Sequence, residues 1–396
     1  MFELINHASI KTKYGGLTCI TDPWYISNAF GSWVQSPSPN AIDIFDIVDS
    51  DEKVCAVVSH GHDDHIDDWF ISKHLSDKTF FCSEFATPGL EKRLSKSLGV
   101  KTRAIGSGET FGEFRFNQFI NPDFTQYDAV ITIETPDFLI IHANDNWHKW
   151  PQEMLDGVKN KCLQYNEDSI FLLIQFGVAD CFPVNYVGIS KNEAFDILQS
   201  RFESYLVATE SNMRLLGLRH MYYYANQSIF DYKAIDLHGL SMYEMAQEFL
   251  SKKCPDYIQL LPGMSVSKGH KIYFNPTKKI DLFNYCLTGL ENFINEGFKS
   301  KIDPGEYIKV KFLTPNDARS KNDVNYIAPR EAWNRILVGE LTLESIIIGG
   351  IGMIEKPNIN IRKHHMFVSK RAYIAQNMIK SKGLSFFREF AHEESK

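Results

Sequence analysis

Short apolar runs broken by Gly, Pro and Asp fill the first half of this chain, and their spacing predicts strands before helices. Phe2–Tyr14 and Leu17–Thr21 read as two strands joined at Gly15-Gly16, a hairpin signal. Val54–Ser59 is a continuous apolar run of the length expected for a buried strand. Trp69–Leu75 predicts a short helix, Thr79–Cys82 a strand and Glu91–Leu98 a second helix. Thr102–Ile120 alternates between Gly breaks as a β-meander does. Ala129–Glu134 and Phe138–Ala143 pair around Thr135-Pro136-Asp137. Gln152–Tyr165 is helical, Ile170–Phe176 is a buried strand, and Lys191–Leu216 is a long helix. That helix opens with Ser190-Lys191-Asn192-Glu193, in which Ser and Glu can cap each other's backbone; Ser241-Met242-Tyr243-Glu244 opens another, running to about Lys252. Strands first, then helices alternating with strands, imply an α+β class with two stacked sheets and helices outside. After Leu261-Pro262-Gly263 the pattern turns to mixed helix and turn. A boundary near residue 265 therefore separates residues 1–265 from a helix-rich C-terminal extension, 266–396, able to pack back on the first part.

Composition narrows the function. The 396 residues are 44% hydrophobic and 23% charged, with a formal net charge of −7. That balance, without a basic stripe carrying interleaved aromatics, argues against nucleic acid as a partner. The N-terminus mixes Glu3, His7, Lys11 and Lys13 among its apolar residues, unlike a secretory signal. Leu341–Ile354 is too short and Gly-interrupted to span a bilayer, so no membrane association is expected. Seven cysteines, odd in number, never form Cys-x-x-Cys and sit mostly in apolar runs. Buried reduced thiols in a cytoplasmic protein follow.

The chemistry concentrates at His60-Gly61-His62-Asp63-Asp64-His65, where three histidines and two aspartates occupy six residues. The preceding strand delivers them to a sheet edge. His60 and His62 alternate along an extended loop and can point the same way. Asp64 and His65, opening the next helix, can face a neighbouring position. The spacing favours two adjacent metals, with imidazole suiting Zn or Fe and carboxylate adding a harder ligand.

His-x-His-x-Asp-His after an apolar strand resembles the signature of the metallo-β-lactamase superfamily, which implies an αββα sandwich. Thr21-Asp22-Pro23-Trp24 resembles that superfamily's upstream motif, whose Asp orients a metal ligand. Asp145, in Ile140-Ile141-His142-Ala143-Asn144-Asp145, stands where the family places its metal-bridging carboxylate. A narrower resemblance is to the CMP-N-acetylneuraminate hydroxylase branch. It rests on Thr21–Trp24 with Ala29-Phe30 and Trp33, on Phe176–Pro183, on Pro262-Gly263 and on Leu341–Pro357. Where the family supplies a further His, this chain has Asn121-Pro122-Asp123, with Asn121 at the aligned position. An Asn amide is a weak zinc ligand, so either Asp123 replaces the His or one metal position is impaired. His220 is the candidate for the family's late His.

The resemblance implies two divalent metal ions held by His60, His62, Asp64, His65, Asp145 and Asn121 or Asp123. Asp64 and Asp145 would also orient the reacting oxygen, with Asp22 and His142 behind the ligands. An oxygen-rich set favours iron, with zinc or manganese as alternatives. His142 and His148 can equally be a core and a loop histidine, and Arg362-Lys363-His364-His365 a solvated charged face. Two functions compete: an O2-dependent hydroxylase of a small, nucleotide-sugar-like molecule, and a hydrolase of an ester, amide or phosphodiester. The hydroxylase branch carries a Rieske iron–sulfur module, and no Cys-x-His…Cys-x-x-His pair occurs here. Electrons are thus expected from a separate donor.

Overall fold

The computed structural model describes residues 2–31, 33–35, 41–48, 53–85, 88–120, 128–146, 150–176, 181–225, 228–230, 242–254, 257–274, 307–312, 325–338, 341–355 and 391–394. The chain opens with β1 (Phe2–Asn6), β2 (Ser9–Tyr14) and β3 (Leu17–Thr21), then β4 (Trp33–Gln35), α1 (Ala41–Val48) and β5 (Lys53–Val58). Next come α2 (Asp68–His74), β6 (Thr79–Ser83), α3 (Gly89–Lys92, prolonged by a π-helical turn over Arg93–Ser97) and β7 (Lys101–Ile105). β8 (Ser107–Phe111), β9 (Phe114–Ile120), β10 (Ala129–Glu134) and β11 (Leu139–Asn144) form a meander. They are followed by α4 (Gln152–Cys162), β12 (Ile170–Gln175), β13 (Tyr186–Val187), α5 (Lys191–Leu216) and β14 (Tyr222–Tyr224). β15 (Ser228–Phe230), α6 (Met242–Lys253), β16 (Ile258–Gln259), β17 (Met264–Ser267) and β18 (Lys271–Phe274) come next. The last elements are β19 (Tyr307–Phe312), β20 (Asn325–Pro329), α7 (Arg330–Val338), α8 (Glu344–Ile347), β21 (Met353–Glu355) and β22 (Ala391–Glu394).

Two mixed sheets result, ordered β18-β17-β1-β2-β3-β5-β6-β7 and β16-β14-β12-β11-β10-β9-β8. Alternation along β5 shows how they stack. Cys55 and Val57 face the second sheet, meeting Phe116, Ile131, Ile133 and Leu173 in a shared core. Val54, Ala56 and Val58 face the other way, under Ile44, Ile47, Phe70, Ile71 and Leu94 of the first helical layer. The second sheet repeats the pattern: Val130, Leu139, Ile141 and Leu172 point outward against Val158, Leu198, Phe202 and Phe249. Period-two strands with both faces apolar demand a cover on each side, and the outcome is four layers, αββα. This is the arrangement that the metallo-β-lactamase resemblance implies.

Phe2–Tyr14 departs from expectation. It is two strands, folded back at His7-Ala8 with Leu4 opposite Ile10 and Asn6 opposite Ser9. Beyond residue 265 the described residues contain more strand than helix, because short alternating runs such as Tyr307–Phe312 pair into a third sheet, β13-β21-β20-β19-β22. β17 joins the first sheet, with Phe2 opposite Val266. Trp333, Ile336 and Ile346 pack on Phe182, Tyr186 and Ile197. The six described cysteines, Cys19, Cys55, Cys82, Cys162, Cys181 and Cys254, are buried and none is in a disulfide. Among the described residues no helix is long and apolar enough to cross a membrane.

A close backbone approach ties the C-terminal region to the loop after β3. A Cβ on Gly349 would collide with the Phe30 carbonyl oxygen and lie 2.7 Å from the Ser345 oxygen. Trp33 Nε1 donates to the Ile348 carbonyl at 3.2 Å beside this contact. Gly349→Ala should therefore lower stability by about 1–3 kcal/mol, as overpacking against backbone does. A thermal melt checks it; an unchanged midpoint would mean that the contact relaxes without cost.

Candidate metal centre

Strand ends and one turn converge on the edge between the two sheets. Asp22 follows β3, Ser59 and the His60–His65 loop follow β5, Asn144 and Asp145 close β11, and Asp128 precedes β10, which runs the opposite way. Parallel strands deliver their carboxyl ends to one edge, where loops can carry chemistry on a rigid base. The His60–His65 loop is held from two sides. Asp67 caps α2 by accepting from Phe70 N–H at 3.0 Å. It also accepts from the backbone of Tyr25, Ile26 and Ser27 at 3.3, 2.7 and 2.8 Å, which fastens the loop after Asp22 to the same point. On the outer side Arg93 donates to the Gly61 carbonyl at 2.8 Å, to Asp63 at 3.2 Å and to Asp68 at 2.9 Å.

Two donor groups face one another here. His60, His62 and Asp145 form one; His7, Asp64 and His65 form the other; within each group the candidate ligand atoms lie within 4.8 Å of one another. His60 Nε2 and His62 Nδ1 are 2.8 Å apart. Asp145 reaches both groups, with Oδ2 3.6 Å from His60 Nε2 and Oδ1 3.6 Å from His65 Nε2. Asp64 Oδ2 lies 3.2 Å from His7 Nε2 and 3.5 Å from His65 Nε2.

Behind the donors Asp22 acts as a hub. Its Oδ1 accepts from Ser59 N–H at 2.7 Å. Its Oδ2 accepts from Ser59 Oγ at 2.8 Å, His65 Nδ1 at 3.0 Å, His142 Nε2 at 2.7 Å and Asn144 Nδ2 at 3.1 Å. A carboxylate that accepts from Nδ1–H of His65 leaves Nε2, the atom aimed at Asp64 and Asp145, as the one to meet an ion. Burial opposes a charge on this ring, but Asp64, Asp22 and Asp145 outweigh it and hold His65 well above its ordinary value, so an ion would take the place of a proton. Ser59 carries the same instruction to His60. Its hydroxyl donates to Asp22 and so accepts from His60 Nδ1, 3.0 Å away, leaving His60 Nε2 to face Asp145. On the far side the Tyr224 hydroxyl donates to His142 Nδ1, which fixes that ring's tautomer in turn.

The electrostatics are those of a cation site. Burial, then repulsion from Asp145, pushes the Asp128 carboxyl well above the usual range. Asp145 is likewise raised, by burial and by Asp64, although His65 opposes the shift. Burial together with the neighbouring His65 and His62 holds His60 well below its ordinary value, so it is a neutral imidazole, as a ligand must be. Burial works against the Asp22 carboxylate, but His65 and His142 outweigh it and keep it ionised.

The residues present fit divalent ions. Among the described residues, eleven buried side-chain polar atoms lack a hydrogen-bond partner, and six of them gather here: His7 Nδ1, Asp64 Oδ1, His65 Nε2, Asp128 Oδ1, Asn144 Oδ1 and Asp145 Oδ1. Such concentration is uncommon in a finished core, and a cation held by the donor groups would partner Asp64, Asp145 and His65 Nε2 among them. Backbone strain gathers at the same place. His7, Asp22, Asn144 and Ala225 all have positive φ, 44°, 35°, 51° and 59°, the kind of local cost that persists where function over-determines geometry.

Of the residues singled out in the sequence, the structure brings His60, His62, Asp64, His65 and Asp145 together, with Asp22 and His142 hydrogen-bonded behind them. Asn121 and Asp123 lie outside the described residues, as do His148 and Arg362–His365. His220 is elsewhere. It precedes β14, at the opposite end of the sheet from Tyr224, and stacks on His270 with ring centroids 4.1 Å apart. His7, Ser59, Asp128, Asn144 and Tyr224 were not foreseen. His7 had one faint signal, the polar run Asn6-His7-Ala8-Ser9 interrupting an apolar stretch, since Asn and Ser favour turns.

No family model matches the chain, and no curated protein does. Among solved structures it is similar to a possible metal-dependent hydrolase from Veillonella parvula, at 14% identity over 69% of this chain and 98% of that one, with a TM-score of 0.41. It is similar to CmlA, a diiron β-hydroxylase from Streptomyces venezuelae, at 13% identity over 66% and 52% of the two chains, TM-score 0.42. A third is YhfI, a metallo-β-lactamase fold protein from Bacillus subtilis, at 11% identity over 67% and 90%, TM-score 0.35. Likeness at this level decides neither a residue's role nor a reaction.

Proposed function

We propose that the chain is a two-metal enzyme for a small-molecule substrate, and that its reaction is an O2-dependent hydroxylation run with iron. The observation that carries this reading is the make-up of the donor groups. Each offers two imidazoles and one carboxylate and no thiolate, the set that non-haem iron oxygenases use and that leaves positions open on the ion. The bound metal would supply the capacity to take up and reduce O2, with electrons from a separate donor. The chain's own contribution is orientation. Asp22, directly and through Ser59, keeps His65 and His60 in the tautomers that present Nε2. The deep burial of His7, Asp64, His65 and His60 excludes bulk water from the inner part of the centre. Phe30, whose ring lies 6.0 Å from that of His62, offers an apolar wall on the outer side.

One feature favours hydrolysis as the second reading. Asp145 spans the two groups with one oxygen toward each, so ions held by them would supply Lewis acidity toward a scissile bond and its attacking water.

Elemental analysis of protein from iron-supplemented cells, with O2 uptake measured after addition of a chemical reductant, separates the two. Hydroxylation predicts about two irons per chain and reductant-dependent O2 consumption. Zinc alone, no O2 uptake and turnover of model esters or phosphodiesters would replace this reading with hydrolysis.

A further inference from the structure

The two donor groups differ in a way that assigns a separate job to each. His7, Asp64 and His65 are 1%, 2% and 0% exposed. In the outer group His60 is as deep, at 1%, but Asp145 is 11% exposed and His62 is only partly buried, so that group alone opens outward. The inner group joins chain segments that are 57 residues apart, from His7 to Asp64. We infer that His7 is a metal ligand supplied by the N-terminal hairpin, and that the inner group holds a retained ion while the outer group holds an exchangeable, substrate-facing one. This rests on the two-metal reading above.

Three observations point to a ligand at this turn. His65 Nε2 and Asp64 Oδ1 are buried, unpartnered and beside His7. The His7 backbone sits at φ 44°, an unfavourable conformation for a residue with a Cβ, and its effect is to bring the imidazole beside Asp64. The ring is also braced edge-on by Trp24, with centroids 5.1 Å apart, so its position is set by packing as well as by Asp64. The His7 carbonyl in turn accepts from Ala225 N–H at 3.0 Å, linking the turn of the first sheet to the end of β14 in the second. An ion held by His7, Asp64 and His65 would lock that junction. A histidine reaching the centre from the first hairpin would also fill the place for which His220 had been the candidate.

The alternative is that His7 merely donates a hydrogen bond to Asp64. His7→Gln distinguishes the two, because a glutamine amide can place an N–H near the position of Nε2 yet is a poor metal ligand. Metal-stripped protein is reloaded with Zn(II) alone, bound zinc is counted, and its release to a weak chelator is timed. Wild type should retain two equivalents that leave in a fast and a slow phase. His7→Gln should hold one, all of it fast, and His62→Ala should lose the fast phase and keep the slow one. His7→Gln holding two equivalents with the slow phase intact would overturn the inference and leave the two-metal reading standing. Wild type holding no zinc or iron would sink that reading itself. A single equivalent indifferent to His7→Gln would also overturn the inference. Should His7→Gln fail to fold, amide exchange on wild type decides. Stripping zinc should speed exchange at Ala225 and across the β1–β2 turn, and unchanged protection there would end the idea.

Discussion

Asp22→Asn should leave a folded protein that has lost most of its hold on metal. The substitution looks conservative, yet it is directed at the most demanding atom in the centre. Oδ2 of Asp22 accepts from Ser59, His65, His142 and Asn144 at once. An amide that keeps its oxygen toward Ser59 N–H puts an NH2 group against four donors. His65 can relieve its share only by moving its proton from Nδ1 to Nε2, the atom that faces Asp64 and Asp145. The wrong tautomer then occupies the ligand position. Loss of a ligand-orienting carboxylate costs roughly 10- to 100-fold in metal affinity, and the unmatched buried donors cost about 3 kcal/mol of stability. Calorimetric titration with zinc and a thermal melt measure the two effects separately. Affinity equal to wild type would mean that Asp22 is structural only.

Asp145→Ala should do more damage to activity and less to folding. Each of its oxygens serves a different donor group, so its removal weakens both positions and leaves His60 and His65 without the carboxylate between them. Turnover should fall by more than the ~10- to 100-fold expected for an orienting partner, with bound metal reduced below wild type. The apoprotein should be no less stable. Asp145 is held above its ordinary carboxyl range by burial and by Asp64, so its ionised form costs the metal-free fold stability as pH rises, and alanine removes that cost. Metal content and turnover both at wild-type level would dismiss Asp145 as a ligand.

Which parts of this arrangement could be read from the sequence follows from how local each part is. The layers were legible because period-two runs with two apolar faces need covers on both sides, and β5 states this in six residues. The His60–His65 loop was legible because its ligands are neighbours in the chain. His7 was hidden inside what reads as one strand: its turn lacks Gly and Pro, and its left-handed conformation exists only because the packed centre imposes it. Ser59, Asn144 and Tyr224 are ordinary residue types at strand ends. Their roles come from what meets them across 85 or 82 residues of chain, through Asn144 to Ser59 and Tyr224 to His142. The strand pairing of the C-terminal region was missed for a related reason, since runs as short as Met353–Glu355 gain their partners only in the assembled sheet.

The hub at Asp22 also bears on the order in which the molecule can be built. His142 and Asn144 lie 120 and 122 residues from Asp22, and Ala225 closes on His7 from still farther along the chain. Contacts of that separation pay their loop-closure entropy before they give anything back, so they form late. The His60–His65 loop can catch an ion loosely on a nascent chain. A firm grip would require both sheets to have docked, so tight metal retention would report that the two halves of the centre have come together.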